Sequence, residues 1–133
     1  MEGRTWKKVL PWQSDLRRAF ATLSSGKRAT RWCSKVYRLT RLLPKEELFG
    51  LVSQMRRAAV SVPANIAEGF KRRGKPDKAR HMNIAQGSLE ELQYFFILCA
   101  DLSYLPSDPV GDRANEIGRM LTSYTQHILD SRS

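Results

Sequence analysis

Basic side chains recur at helical spacing in the first third of the chain. The intervals between them are 3, 4, 3 and 3 residues, which places them along one side of a helix. They are Arg28, Arg31, Lys35, Arg38 and Arg41. A stripe of cations neutralises phosphates and releases counterions, which gives salt-sensitive binding with little sequence preference. The spacing therefore indicates a surface for nucleic acid.

A second basic group lies further along the chain, between residues 56 and 80. Its members are Arg56, Arg57, Lys71, Arg72, Arg73, Lys75, Lys78 and Arg80. Most of them cluster around two glycines, where a turn between helices is expected. Phe70 stands beside this cluster and is a candidate for stacking on a base, whereas we expect Trp32 in the core. Both basic groups are predicted to bind nucleic acid.

The net charge of +10 is unevenly distributed along the 133 residues. Residues 1–45 hold 12 Lys and Arg against 2 Asp and Glu, whereas residues 46–133 hold 11 of each. Residues 81–133 alone hold 3 basic and 7 acidic side chains. Such polarity favours a polyanionic partner. The alternatives are a device for solubility, or a basic segment that meets the acidic half of another copy in an oligomer.

Residue types that catalyse reactions form no recognisable constellation in this sequence. The two histidines, His81 and His127, fall in different predicted helices, and we expect His81 to be a core or interface residue. The stretch "SSGK" lacks the first glycine and the final Ser or Thr of a phosphate-binding loop. No zinc-ligand spacing or nucleophile elbow occurs. We therefore predict no enzyme, no catalytic residue, no metal site and no cofactor.

Four segments position these residues, each with apolar side chains spaced by alternating steps of three and four. The four sets are Ala29, Trp32, Val36, Leu39 and Leu43; Leu48, Val52, Met55, Ala59, Val62 and Ile66; Ala85, Ser88, Leu92, Phe95, Cys99 and Leu102; and Val110, Ala114, Ile117, Leu121, Tyr124 and Ile128. This spacing is typical of helices that pack in a bundle. No segment alternates with a period of two. We predict an all-α fold, an antiparallel up-down four-helix bundle with short connections.

Prolines and glycines mark the expected helix boundaries. Pro44 suits the first turn of the second helix, and Asp108 can cap the fourth. Gly69 and Gly74 are expected to bracket the end of the second helix. Pro63 lies within that helix, but the apolar register continues across it, so we predict a kinked, continuous helix in which Ser61 and Asn65 satisfy freed backbone groups. The alternative is two helices divided at Val62.

The third segment has a second apolar stripe beside the first. Met82, Leu89 and Phe96 recur every seven residues, and Ile84 and Tyr94 add further apolar surface. A helix that is apolar on more than one face usually buries both. We therefore predict that Met82, Leu89 and Phe96 form an interface between subunits of a homo-oligomer.

The two ends of the chain and its cysteines bear on domain organisation and location. Residues 1–28 are predicted to be a basic N-terminal extension that ends in a break at "SSGK", and residues 29–133 the bundle domain. Cys33 and Cys99 form no disulfide or metal pattern and suit a reducing compartment. No apolar run of about 18 residues and no signal peptide is evident. We expect a cytoplasmic protein with no membrane partner.

Two stretches carry a resemblance to a known family. They are "QMRRAAVSVPANIAEG" at residues 54–69 and "IAQGSLEEL" at residues 84–92. The chain resembles the 23S rRNA intervening-sequence proteins, and it is similar to the related accessory variability determinant proteins of diversity-generating retroelements. The resemblance covers about residues 35–105. The family's tryptophan near the start of the first helix has no equivalent at the expected distance, since Trp12 lies 25 residues before Tyr37.

The resemblance implies an assembly and partners that the residue patterns alone do not. It implies a homopentameric barrel, and the retroelement relatives imply binding of nucleic acid and of a reverse transcriptase. We expect a non-catalytic accessory protein that binds nucleic acid, RNA in preference to DNA. The alternative is a structural module whose basic face docks an acidic protein.

Overall fold

Four α-helices make up most of the described chain. The computed structural model describes residues 24–107, 109 and 113–131, and no strand occurs among them. The helices are α1 at Ser24–Thr40, α2 at Ser53–Lys71, α3 at Lys75–Asp101 and α4 at Arg113–Asp130. Contacts join α1 to α2, α2 to α3, α3 to α4, and α4 back to α1. The prediction of an all-α, four-helix fold is confirmed.

Some predictions fall outside the described residues. They concern Trp12 and the rest of residues 1–23, the cap at Asp108 and the core position Val110. The predicted break at residues 24–27 is wrong, because these residues already belong to α1. Gly26 is buried, and its carbonyl accepts a hydrogen bond of 3.0 Å from Thr30 Oγ1. One glycine inside a helix costs only about 1 kcal/mol, which packing can offset.

The start of the second helix also differs from the prediction. A 3₁₀ turn at Lys45–Glu47 and a π-helical turn at Leu48–Val52 precede α2, which begins only at Ser53. Gly50 has φ −109° and ψ −105°, values outside the helical region, so the regular helix cannot extend back through it. As a result Leu48 is 48% exposed and does not take its predicted place in the core.

The core consists of the apolar sides of the four helices. Trp32 on α1 and Phe96 on α3 meet edge to face, with ring centroids 5.8 Å apart. Met55 and Cys99 lie at the same level of α2 and α3, with their sulfurs 3.7 Å apart. Ile117 and Leu121 on α4 complete the enclosure. Most of the residues predicted from the 3–4 spacing are buried, because one side of each helix faces its neighbours.

The interface predicted at Met82, Leu89 and Phe96 is wrong. These side chains are 0%, 3% and 6% exposed within the single chain, so no surface remains for a second subunit. The reason is geometric: α3 packs against both α2 and α4, so two of its sides are covered by helices of the same chain. The apolar side chains that α3 leaves exposed are Ile84, Tyr94 and Ile97.

Pro63 lies inside a continuous helix. Since α2 runs from Ser53 to Lys71 without interruption, the alternative of two helices divided at Val62 is wrong. Asn65 Nδ2 donates to the Ser61 carbonyl at 2.8 Å and to Ser61 Oγ at 3.0 Å. Proline removes the donor that would bond the carbonyl four residues earlier, at Ala59. The side-chain bond therefore forms at the Ser61 carbonyl, two residues after the carbonyl that Pro63 leaves without a donor.

Gly69 allows α2 and α3 to approach closely. The helix continues through Gly69 and ends at Lys71, so Gly69 and Gly74 bracket the end of α2 as predicted. It is buried, and a Cβ atom there would lie 2.6 Å from Met82 Cε and 2.8 Å from His81 Cβ. Gly74, in contrast, lies at the N-terminal boundary of α3 as its N-cap residue.

No helix in the described ranges is both long enough and apolar enough to cross a membrane.

Candidate nucleic-acid interface

The outer side of α1 presents the first basic group. Arg28, Arg31 and Arg38 are exposed and Lys35 is half-buried, whereas Ala29, Trp32 and Val36 on the opposite side are buried. Lys27, which was not among the predicted binding residues, is exposed on the same helix. Arg41 is exposed too, but it lies in the turn after α1 and so leaves the stripe. Four of the five predicted basic side chains therefore lie on α1 itself.

The turn between α2 and α3 presents the second basic group. Lys71 and Arg73 are exposed, and Lys75 is half-buried at the first position of α3. Lys78 bonds the protein itself, since its Nζ donates to the carbonyls of Phe70 at 2.8 Å and Gly69 at 3.4 Å. A cation that bonds these last carbonyls stabilises the C-terminus of α2. Lys71 and Arg73 thus point to solvent while Lys78 holds the turn together.

Two acidic side chains engage the arginines of this turn. Arg72 lies 3.5 Å from Glu68 and 3.6 Å from Asp77, and Arg80 lies 3.0 Å from Asp77. The hydrogen bond from Arg80 and the nearby positive charges lower the pKa of Asp77, so this carboxylate stays ionised. Exposed pairs of this kind contribute little to stability. They do reduce the charge that Arg72 and Arg80 offer to a ligand.

Arg56 belongs more to the structure of the bundle than to its surface. Its Nε donates to Thr40 Oγ1 at 2.9 Å and its Nη2 to the Tyr37 carbonyl at 3.4 Å. Its guanidinium also lies 4.7 Å from the centroid of the Tyr37 ring. These contacts tie the end of α1 to the start of α2. Its neighbour Arg57 is exposed.

The aromatic residue best placed for stacking is not the one predicted. Phe70 is half-buried, and Lys78 Nζ lies 5.7 Å from its ring centroid. Phe49, in contrast, is 93% exposed. It lines a cavity of about 630 Å³ together with Arg56 and Arg57. Its exposure was not predicted because the residues around Phe49 were expected to form a regular helix. The adjacent Gly50 is the one sequence signal of a departure from that helix.

His81 is a core residue, as predicted. It is 5% exposed, and its Nδ1 lies 3.1 Å from Asn65 Oδ1 and 3.4 Å from Glu68. Because Asn65 Nδ2 donates to Ser61, its Oδ1 is the acceptor, so the His81 proton is assigned to Nδ1. Ser88 Oγ donates to Ser61 Oγ at 2.7 Å and extends this polar network between α2 and α3.

The other candidates for chemistry are not brought together. His127 is exposed on α4, whereas His81 is buried and contacts Asn65 on α2. In the described ranges, no three His, Cys, Asp or Glu side chains are grouped as a metal site. Burial raises the pKa of both thiols, at Cys33 and Cys99, and neither cysteine forms a disulfide. The arrangement therefore offers surface charge to a ligand.

Four packed helices with basic side chains at one turn and along one outer face define a small all-α protein with two basic surfaces. The sequence pattern of the 23S rRNA-intervening sequence protein family matches residues 22–123. The chain belongs to this family.

One solved structure shares the fold. It is a protein of unknown function from the S23 ribosomal protein family of Bacteroides thetaiotaomicron VPI-5482. It is 19% identical to this chain, with a TM-score of 0.57, and the alignment covers 79% of this chain and 94% of that one. A search of curated protein sequences finds no match.

Proposed function

We propose that this chain is a non-catalytic accessory protein that binds RNA through its basic surface. The observation that carries the proposal is the exposure of Lys71 and Arg73 in one turn, together with the exposed basic face of α1. Cations exposed on a surface suit a phosphate backbone, which requires charge more than a shaped pocket. Phe49, exposed beside Arg57, adds a surface on which a base could stack.

An antiparallel order of the helices, which we also propose, would bring the turn between α2 and α3 to the same end of the bundle as Arg28 at the start of α1. Three contacts between α2 and α3 support it, since successive residues along α2 meet earlier residues of α3. They pair Met55 with Cys99, Ser61 with Ser88, and Asn65 with His81. Arg56, near the start of α2, bonds Thr40 at the end of α1. The end of α2 would then lie beside the start of α1, with a bend at Pro63.

Binding of a fluorescently labelled RNA tests the proposed function. We expect a saturable rise in anisotropy at about 50 mM salt, because few counterions then compete for the phosphates. A chain that leaves the anisotropy unchanged at this salt concentration would contradict the proposal. The same titration with DNA tests the preference for RNA.

We further propose that the chain assembles into a homo-oligomer, a pentamer by its resemblance to the family. The apolar side chains Ile84, Tyr94 and Ile97 support a second binding surface, since each of them is exposed on α3. The acidic residues Glu90, Glu91 and Asp101 are exposed on the same helix. This acidic and apolar surface complements the basic face of another copy, which gives each subunit a donor and an acceptor surface.

Replacing Ile97 with aspartate tests this assembly. Because Ile97 is 60% exposed, we expect the helical signal to persist while the mass measured by light scattering falls toward the 15.2 kDa monomer. Leu129→Asp is the matched control on α4, where Leu129 is 51% exposed. An unchanged mass for Ile97→Asp, or an equal loss in both variants, would show that α3 does not carry the interface.

For a protein partner we propose the reverse transcriptase of a diversity-generating retroelement, acting in the cytoplasm. The resemblance at residues 54–69 and 84–92 supports this choice. Co-purification of the two proteins that persists after nuclease treatment would support it. If the protein recovered in this way is an acidic one other than a polymerase, the chain is instead a docking module, the alternative that its charge polarity also allows.

A further inference from the structure

A small cleft lies between α1 and α4, separate from the turn that joins α2 and α3. Its volume is about 300 Å³, and its walls combine three guanidinium groups, one carboxylate and two apolar side chains. The lining residues are Arg28, Arg31, Trp32, Arg113, Glu116 and Ile117. Glu116 Oε2 accepts a hydrogen bond of 2.9 Å from Arg28 Nη1. One carboxylate cannot balance three cations, so the lining as a whole is positively charged.

A buried donor in the wall of this cleft has no acceptor. Trp32 is 1% exposed, and within the described part of the chain its Nε1–H has no hydrogen-bond partner. Buried polar groups of native proteins are nearly always paired, and an orphaned donor indicates a missing partner. The edge-to-face contact with Phe96 restricts reorientation of the indole ring. The nitrogen is closed off from the cleft, so an acceptor bound there reaches this donor once the side chains that cover it shift.

We propose that the cleft between α1 and α4 binds a phosphate group. Arg31 and Arg113 would donate to its oxygens from two helices, and the Trp32 indole N–H would donate to a further oxygen. Guanidinium forks match the geometry of phosphate oxygens and form charge-assisted bonds with them. The volume leaves room for the phosphate and several waters. Glu116 keeps Arg28 oriented toward the same cleft.

The phosphate could come from two sources, free inorganic phosphate or the terminal phosphate of a nucleic acid. Arg28 and Arg31 belong to the basic face already assigned to RNA, so the second source rests on the proposed function. The first source does not. Arg113, in contrast, lies outside every basic group identified from the sequence and is exposed at the start of α4. A substitution of Arg113 therefore tests phosphate binding in this cleft separately from electrostatic binding of RNA to the two basic groups.

The indole proton of Trp32 provides a direct readout. In a nitrogen-15 NMR titration of the full chain with inorganic phosphate, at ionic strength held constant with chloride, we expect a saturable shift of this signal. Its assignment comes from its disappearance in Trp32→Phe. Arg113→Gln should weaken phosphate binding about tenfold, as the loss of a charge-assisted bond predicts. Arg73→Gln, at the other basic site, should leave it unchanged.

Two results would overturn the proposal. They are the absence of any shift, or an equal weakening by Arg73→Gln, which would indicate diffuse screening instead of a site. A second titration uses one RNA with and without a 5′-phosphate to displace the bound phosphate. If only the phosphorylated RNA displaces the bound phosphate, the site binds a nucleic-acid end. If neither RNA changes the phosphate-induced shift of the Trp32 indole signal, the site binds free phosphate. If no RNA binds but inorganic phosphate does, the proposed function fails and the cleft remains.

Discussion

Gly69→Ala is expected to lower the free energy of unfolding by about 1–2 kcal/mol. The added Cβ would lie 2.8 Å from His81 Cβ and 2.6 Å from Met82 Cε. Met82 can move its terminal methyl, but His81 Cβ is fixed to the backbone of α3, so the two helices must separate. Overpacking of this kind costs about 1–3 kcal/mol, and the better helix propensity of alanine returns about 1 kcal/mol at most. Urea unfolding followed by circular dichroism measures the difference.

Gly87→Ala is the matched control for this substitution. Gly87 is also a helical glycine, but it is exposed on α3 and a Cβ there meets no atom within 4 Å. Only the gain in helix propensity remains, so the free energy of unfolding should rise by about 0.5–1 kcal/mol. Stabilisation by both substitutions would show that α2 and α3 are not as close at Gly69 as the structure places them.

Neutralising the turn between α2 and α3 is expected to weaken RNA binding about 100-fold at about 50 mM salt, because two phosphate contacts are lost. The variant is Lys71→Gln combined with Arg73→Gln. Both side chains are exposed, whereas Arg72 is engaged with Glu68 and Asp77 and is left in place. The slope of log affinity against log salt should fall by about 2. Anisotropy titrations at several salt concentrations supply both numbers.

Arg119→Gln serves as the control for loss of positive charge. Arg119 is exposed on α4 in a groove lined by amide and hydroxyl side chains, away from both basic groups. Its removal should leave the slope within error and the affinity within about threefold, the effect of a distant screened charge. An equal loss of RNA affinity in Arg119→Gln and in the double variant would mean that net charge alone governs binding. An unchanged affinity of the double variant would show that the turn between α2 and α3 does not contact RNA.

The core was predictable because its signal is periodic. Burial of Trp32, Met55, Leu92 and Ile117 follows from the 3–4 spacing, since a helix in a bundle must bury one side. The same spacing could not distinguish a neighbour in the same chain from one in another subunit. This is why the stripe that contains Phe96 was assigned to an interface, although α3 has two neighbours within its own chain.

Features that depend on a single residue or on a distant partner were not predictable. Gly50 interrupts the helix before Ser53 through its own backbone angles, and the apolar pattern runs across it unchanged. Gly69 was correctly expected near the end of α2, but the close helix approach that it allows depends on His81 in another helix. The cleft between α1 and α4 joins Arg31 to Arg113, which are 82 positions apart in the sequence.

The location of the basic surface was predicted, but the sequence did not show which of its residues make contacts within the protein and which are left for a ligand. The sequence treats all thirteen cations alike, whereas contacts divide them. Arg56 and Lys78 bond backbone carbonyls and hold elements together, and Arg72 and Arg80 face carboxylates. Arg28 on α1 likewise pairs with Glu116, so Lys71, Arg73 and the remaining cations on the outer face of α1 are left for a ligand. This division explains why the choice of substitutions decides how clearly an experiment can test binding.

The most direct test of the central claim is the salt dependence of RNA binding by the unmodified chain. We expect anisotropy titrations to show saturable binding at about 50 mM salt and a loss of affinity of at least tenfold by about 200 mM, as release of several counterions requires. No binding at the lower salt concentration, or an affinity that does not change between the two, would contradict a function based on the exposed cations of α1 and of the turn between α2 and α3.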